Sequence, residues 1–453
     1  MPDRRNSRKA MRSFSFILSV STGARAAVWK TSFSRQSDPL THSEVAAYSR
    51  SGALAWRLGG RRMLGDFMGN KFSLFRQFAA SRDCAKMRIN QASIRRNLSA
   101  STGPSASSEG PKSSGGDPDV PSLQRPFRVV HFTDVHFFTS DAIRPGLGLF
   151  GKRALGMINM LFNRGSRAFD PVRLLPSFTR SLSSISPDLV VFSGDLTTLA
   201  TKAEFDVARN TLNALLKAKL PVVMIPGNHD RYTSDSKGLM EEAFGPWMAG
   251  GVWRNGEWTD GSVRTPWPKQ YQVGPLNVIA LDHCRPVLLS TGKHSEGQLA
   301  RLQAVLASEK RPTIIVGHYP LKNKLGGPYN RMGHCLEDRD ELETIISSSP
   351  CVVAYLHGHE HRWFVQSLDR TYNQTGQPPI TVLNCGSTTY VGKDKDKQAG
   401  FYEFEISSQS LSSTGNSPSF VSSIKRHHWQ DDKYVAQSVL SSSSSSLKSA
   451  VAS

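Results

Sequence analysis

Hydrophobic and polar positions follow two rhythms between residues 125 and 430. Short apolar, β-branched runs fall at Phe127 to Phe132, Leu189 to Phe192, Val222 to Ile225, Ile314 to Val316 and Val352 to Leu356, and each ends in a polar turn. Runs of this length and composition predict buried strands. Between them the apolar spacing lengthens to that of helices. Asp170-Pro171 opens a helix predicted to reach Ile185, with Pro in its first turn. Residues 201–217 carry Phe205, Ala208, Leu212, Leu215 and Leu216 on one helical face, and Ser295-Glu296-Gly297-Gln298 has capping-box spacing ahead of Leu299, Leu302 and Leu306. Tyr271 to Val273 and Asn277 to Leu281 predict a hairpin around Gly274-Pro275. Thr381 to Leu383, Phe401 to Ile406 and Phe420 to Ile424 read as later strands, enough for a second sheet. Alternating strands and helices predict an α/β fold.

Each of the five runs leads into a short polar segment: Asp134-Val135-His136, Gly194-Asp195, Gly227-Asn228-His229-Asp230, Gly317-His318 and Gly358-His359-Glu360-His361. Taken singly, a Gly-Asp or Gly-His is an ordinary turn after a strand. Five in series place Asp, Asn and His at strand ends, where side chains converge on one edge of a sheet. Two divalent cations about 3.5–4 Å apart can clamp the attacking and leaving oxygens of a phosphoryl group and activate a water. Such a centre needs a bridging carboxylate, neutral imidazoles and an uncharged oxygen donor. Asp195 suits the bridge. Asp134, His136 and His361 complete one ion, and Asn228, His318 and His359 the other. This N/O donor set fits Mn, Fe or Zn and excludes a thiolate structural zinc site. His229 follows a ligand but faces away from it, which suits a general acid for the leaving oxygen, and Asp230 is expected to orient its ring.

Composition divides the rest of the chain. Residues 1–98 form a basic leader, 99–124 a flexible Ser/Gly/Pro linker, 125–430 the catalytic domain and 431–453 a Ser-rich tail expected to be disordered. Residues 1–100 hold 19 Lys/Arg against 5 Asp/Glu, which supplies +14 of the net +19. The basic balance therefore belongs to the leader and gives no reason to expect nucleic acid at the catalytic domain. Arg-rich, Ser-rich and acid-poor, with amphipathic stretches near Phe67 to Phe78, the leader reads as a transit peptide to a mitochondrion or plastid; without that role the protein would be cytoplasmic. No run reaches the ~20 apolar residues of a membrane span. Cys84, Cys284, Cys335, Cys351 and Cys385 are odd in number and unpaired in spacing, which suggests a reduced interior. Residues 147–164 read more readily as an amphipathic helix packed on the domain than as a lid in peripheral contact with a membrane. Trp247, Trp253, Trp258 and Trp267 read as a satellite apolar cluster, and His283, His294 and His334 as structural or surface residues.

The five segments together resemble the calcineurin-like metallophosphoesterases, in the bacterial-type branch that includes cyclic-nucleotide phosphodiesterases. That resemblance, over about residues 125–430, implies a four-layer αββα sandwich of two mixed β-sheets flanked by helices. It implies that Asp134, His136, Asp195 and His361 bind one metal, that Asp195, Asn228, His318 and His359 bind the other, and that His229 is the catalytic acid. Protein phosphatases of the superfamily carry Asp-Arg-Gly after the Gly-Asp, whereas here Leu196-Thr197-Thr198 stands in that place. The expected activity is hydrolysis of a phosphodiester in a small substrate such as a nucleotide, by a hydroxide held between the two ions. The alternatives are a phosphomonoesterase, a nucleotide-lipid pyrophosphatase or a non-catalytic interaction module.

Overall fold

In this computed structural model the described residues are 125–139, 153, 168–287, 289–371, 377–407 and 420–440, with the backbone of four short strands between Phe14 and Leu58. Those four strands, Phe14–Thr22, Arg25–Phe33, Ser43–Ser49 and Gly52–Leu58, form an antiparallel sheet of their own. They belong to a separate unit that ends at Lys112. The amphipathic stretch at Phe67 to Phe78 lies outside the described residues, as does the 147–164 segment apart from Arg153.

The catalytic unit is built from two sheets. The first places β1 (Phe127–Phe132), β2 (Leu189–Phe192) and β3 (Val222–Met224) side by side and parallel. On the other side of β1, β12 (Gly400–Ile406) pairs antiparallel with it, and β13 (Val421–Gln430) and β14 (Lys433–Leu440) follow, each antiparallel to the one before. The second sheet has eight strands. Its parallel centre consists of β7 (Leu276–Ala280), β8 (Thr313–Val316), β9 (Val352–His357) and β11 (Ile380–Asn384). Around it lie β10 (Phe364–Leu368), β6 (Lys269–Val273), β4 (Gly251–Arg254) and β5 (Glu257–Thr259).

Alternation along each strand divides its side chains between two cores. Val129, Val191 and Val223 of the first sheet meet Val278, Ile314 and Leu356 of the second, so the sheets pack face to face. On the outer face of the first sheet, Val130, Phe132, Phe192 and Met224 receive α1 (Pro171–Ile185), α2 (Lys202–Thr211) and α4 (Lys237–Met248). On the other side Ile279, Ile315 and Tyr355 receive α5 (Gln298–Ser308) and α6 (Arg339–Ser348). Helix, sheet, sheet, helix is the predicted four-layer sandwich.

Three expectations need correction. The tail is not disordered from residue 431: Gln430 to Lys433 turn a hairpin through Asp431 and Asp432, both at positive φ, and β14 buries Tyr434 and Leu440. The Ser295 capping box does not form. Gln298 instead brackets the backbone of Asp282, donating Nε2 to its carbonyl and accepting its N–H, and the helix starts from Gly297 at φ 70° without a side-chain cap. The 201–217 helix breaks at Leu212 into α2 and a short turn, α3 (Asn213–Lys217). The tryptophans are structural: Trp253 and Trp258 pair across β4 and β5, and Trp258 donates to the Val222 carbonyl.

Candidate metal centre

The ligand-bearing segments leave the C-terminal ends of β1, β2 and β3 in one sheet and of β8 and β9 in the other. They converge between two sheets, where the sequence predicted one edge. Turning sharply off these strands forces unusual backbone: Asp134, His136, Asp195, His359 and His361 all have φ between 52° and 73°. Such conformations cost side-chain-bearing residues about 1 kcal/mol or more each and concentrate at functional sites. The adjoining glycines are required by close approach. A Cβ on Gly227 would collide with Asp195 Oδ1, and one on Gly358 with Asp134 Oδ2.

One donor atom each from Asp134, His136, Asp195 and His361 lies within 4.8 Å of the others, and all four residues are buried. His361 Nε2 is 3.0 Å from Asp134 Oδ1 and 3.0 Å from His136 Nε2. In the other half, Asn228 Oδ1 is 3.1 Å from His318 Nε2 and 2.9 Å from His359 Nδ1, and those two nitrogens are 3.3 Å apart. Asp195 Oδ2 stands between the halves, 3.8 Å from His136 Nε2 and 3.4 Å from His318 Nε2. The sites that sequence assigned to two ions are therefore two clusters of donors sharing one carboxylate oxygen.

These residues fit divalent ions on their own chemistry. Asp134 Oδ1 is buried and faces His361 Nε2, while Oδ2 accepts from Thr133 Oγ1 and the His359 N–H. The second Asp195 oxygen accepts the His229 N–H at 2.8 Å. His318 donates Nδ1–H to the Ser193 carbonyl and His359 donates Nε2–H to the His334 carbonyl, which turns the other nitrogen of each inward. Burial lowers the pKa of His318, but the charge and hydrogen bond of Asp195 carry it to about 9. Burial and the neighbouring His318 hold His359 well below the usual histidine range. A cavity that draws a proton onto one imidazole beside two ionised carboxylates calls for positive charge, which divalent ions would supply.

His229 has its ring edge-on to His136 at 4.9 Å, with Nδ1 2.7 Å from the Thr198 carbonyl. Sequence assigned Asp230 the task of orienting that ring, and the structure shows another. Its oxygens accept four bonds, from the N–H groups of Leu196, Thr197 and Gly227 and from Thr197 Oγ1, tying the Gly194-Asp195 loop to the Gly227-Asn228 turn. Burial, then the Asp195 charge, raise its pKa. What sequence missed is mostly backbone, namely the carbonyls of Ser193, Thr198 and His334, which no residue type announces. Phe169, packed on His136 at 4.5 Å and His361 at 5.5 Å, was also missed. Beside His136 opens a recess walled by Phe137, Phe138, Phe169 and Val172.

With strands, sandwich and donors in place, the class is that of a metal-dependent phosphoric ester hydrolase. Residues 127–363 match the model of the calcineurin-like phosphoesterases, and the chain belongs to that family. It is 26% identical over 228 residues to a probable cyclic nucleotide phosphodiesterase of Synechococcus sp., covering 50% of this chain and 74% of that one. It is 26% identical over 178 residues to a probable glycerophosphodiester phosphodiesterase of Arcobacter nitrofigilis, covering 39% of this chain and 57% of the relative's length. Among solved structures, a dimetal phosphatase from Danio rerio aligns at 14% identity over 69% of this chain and 99% of that one, with a TM-score of 0.46.

Proposed function

We propose that the chain hydrolyses phosphodiesters of small molecules, with cyclic nucleotides among the substrates to test first. The observation that carries this is the shared Asp195 oxygen between two donor clusters with His229 alongside. Divalent ions bound there, Mn, Fe or Zn by donor type, would supply an activated water and hold the phosphoryl oxygens. The chain does the rest. Asp195 sets the separation of the clusters, held by the His229 N–H. His229 donates Nδ1–H to the Thr198 carbonyl, which aims its ring, and as the imidazolium it would give its Nε2 proton to the departing oxygen of a diester. A diester carries one negative charge where a monoester carries about two. The loop after Asp195 presents Leu196, Thr197 and Thr198, without the cation that a dianion would favour. The recess beside His136, lined by Phe138 and Phe169 together with Asp170, offers mixed apolar and polar surface to a second ester arm. Both curated relatives are named as phosphodiesterases, which agrees with this reading. Delivery to a mitochondrion or plastid is part of the proposal, on the leader's composition.

The test compares bis-p-nitrophenyl phosphate with p-nitrophenyl phosphate in Mn²⁺, with Asp195→Ala alongside. The expected result is diester turnover that drops by about 10³-fold or more in the variant, consistent with losing the group common to both ions. Turnover of the monoester alone would replace the diesterase with a phosphatase. Mn²⁺ binding without turnover of either ester would leave an interaction module.

A further inference from the structure

Behind the second donor cluster lies a hydrogen-bonded row built from residues outside the five ligand segments. The N–H groups of His318 and Tyr319, consecutive at the end of β8, both point at His283 Nε2, at 2.8 and 3.1 Å. Two donors on one nitrogen require that nitrogen to be bare. The His283 proton must then sit on Nδ1, which is 3.4 Å from His294 Nε2. That contact makes His294 the acceptor, so its own proton sits on Nδ1, 3.0 Å from Asp338 Oδ1. Each step fixes the next, and all run toward the carboxylate.

A second observation shows the row is built. Asp338 occupies the N-cap of α6, a position where aspartate ordinarily bonds the first turn of its own helix. It makes no such bond. Its other oxygen accepts the His294 backbone N–H at 2.9 Å, so both oxygens face His294. His283 is fully buried and the His294 side chain nearly so.

We infer that Asp338, His294 and His283 are positioning residues for the metal ligand His318. The carboxylate sets the tautomer of two histidines, so that the second accepts both N–H groups of the His318 turn and fixes where His318 Nε2 meets Asn228 and Asp195. The inference rests on the metal-centre reading but not on the diester preference. A chain that binds Mn²⁺ and cleaves nothing would still test it.

Two measurements on the full chain decide it. In long-range ¹H–¹⁵N spectra of Zn²⁺-loaded protein with ¹⁵N-histidine, His283 and His294 should both carry their proton on Nδ1. A proton on Nε2 of His283 would overturn the inference without any mutation. In Mn²⁺ calorimetry, His283→Phe should weaken one of the two binding steps by about 10–100-fold, the range for lost outer-layer partners, and leave the other nearly unchanged. His283→Gln, whose amide oxygen can accept both N–H groups, should restore most of that loss. Asp338→Ala, which keeps the imidazoles and frees their tautomers, should give a smaller, same-step loss. Equal weakening of both steps in a folded His283→Phe protein, or no weakening, would refute the relay.

Discussion

The two halves of the metal centre are held by different means. Around His136 and His361 the shared support is packing, with the Phe169 ring against both imidazoles and Tyr390 behind it at 5.6 Å. Around His318 and His359 it is hydrogen bonding, each ring donating to a backbone carbonyl and the His318 turn fastened to His283. Packing restrains a ring while allowing it to tilt, whereas a hydrogen bond selects one nitrogen and one direction.

The largest blow to this contrast should come from the scaffold of the hydrogen-bonded half. Arg231, next to Asp230 and almost wholly buried, bonds Glu241 through both guanidinium arms and also reaches Asp282, one residue before His283. Arg231→Met would strand two carboxylates, and urea unfolding should show a loss of about 3 kcal/mol or more. An unchanged midpoint would mean water already serves those carboxylates.

A smaller, pH-dependent effect is expected at Glu204. Its Oε2 accepts the N–H groups of Leu199 and Thr201 beside the Thr198 carbonyl that holds His229, while buried Oε1 has no partner. Burial raises its pKa to about 7 from an ordinary 4.5, against the backbone bonds that lower it. A carboxyl with a raised folded pKa favours the fold when protonated. Its contribution is thus fully present below about pH 4.5 and declines as pH rises toward 7 and beyond, by roughly 1–3 kcal/mol. Glu204→Gln should flatten that part of the stability profile between pH 5 and 8. A variant that keeps the wild-type slope would assign it to another group.

The smallest effect tests the packed half directly. Phe169→Ala should weaken binding of one Mn²⁺ ion by about tenfold at most, as an outer-layer change does, and leave the step sensitive to His283 alone. Weakening of both steps would join the halves into one unit.

Much of this is legible in the sequence itself. The five β-branched runs, the helix from Pro171 and the 271–281 hairpin follow from periodicity, because strands and helices bury side chains at different intervals. The donors were legible because metal chemistry restricts residue type. The brace at Asp230 was not: an Asp beside a His looks like its partner, and only the fold reveals four nearer donors. Nor was β14, whose exposed Gln437 and Ser438 read as the start of the serine tail while Tyr434 and Leu440 anchor it. His283 and His294 fit no ligand spacing, since their partners are backbone groups and a side chain far along the chain.

The origin of the ligands in two sheets has a mechanical consequence. Asp134, Asp195 and Asn228 travel with one sheet, His318 and His359 with the other, and the apolar layer between them is crossed by the Trp258 bond to the Val222 carbonyl and the Cys385 Sγ bond to the His131 carbonyl. Sliding one sheet by a single residue would displace its donors by about 3.3 Å. That is as far as neighbouring donors now stand apart, His318 and His359 being separated by 3.3 Å. Ions bound across the seam would act as rivets at its mouth, and the sandwich would register any shear in its coordination.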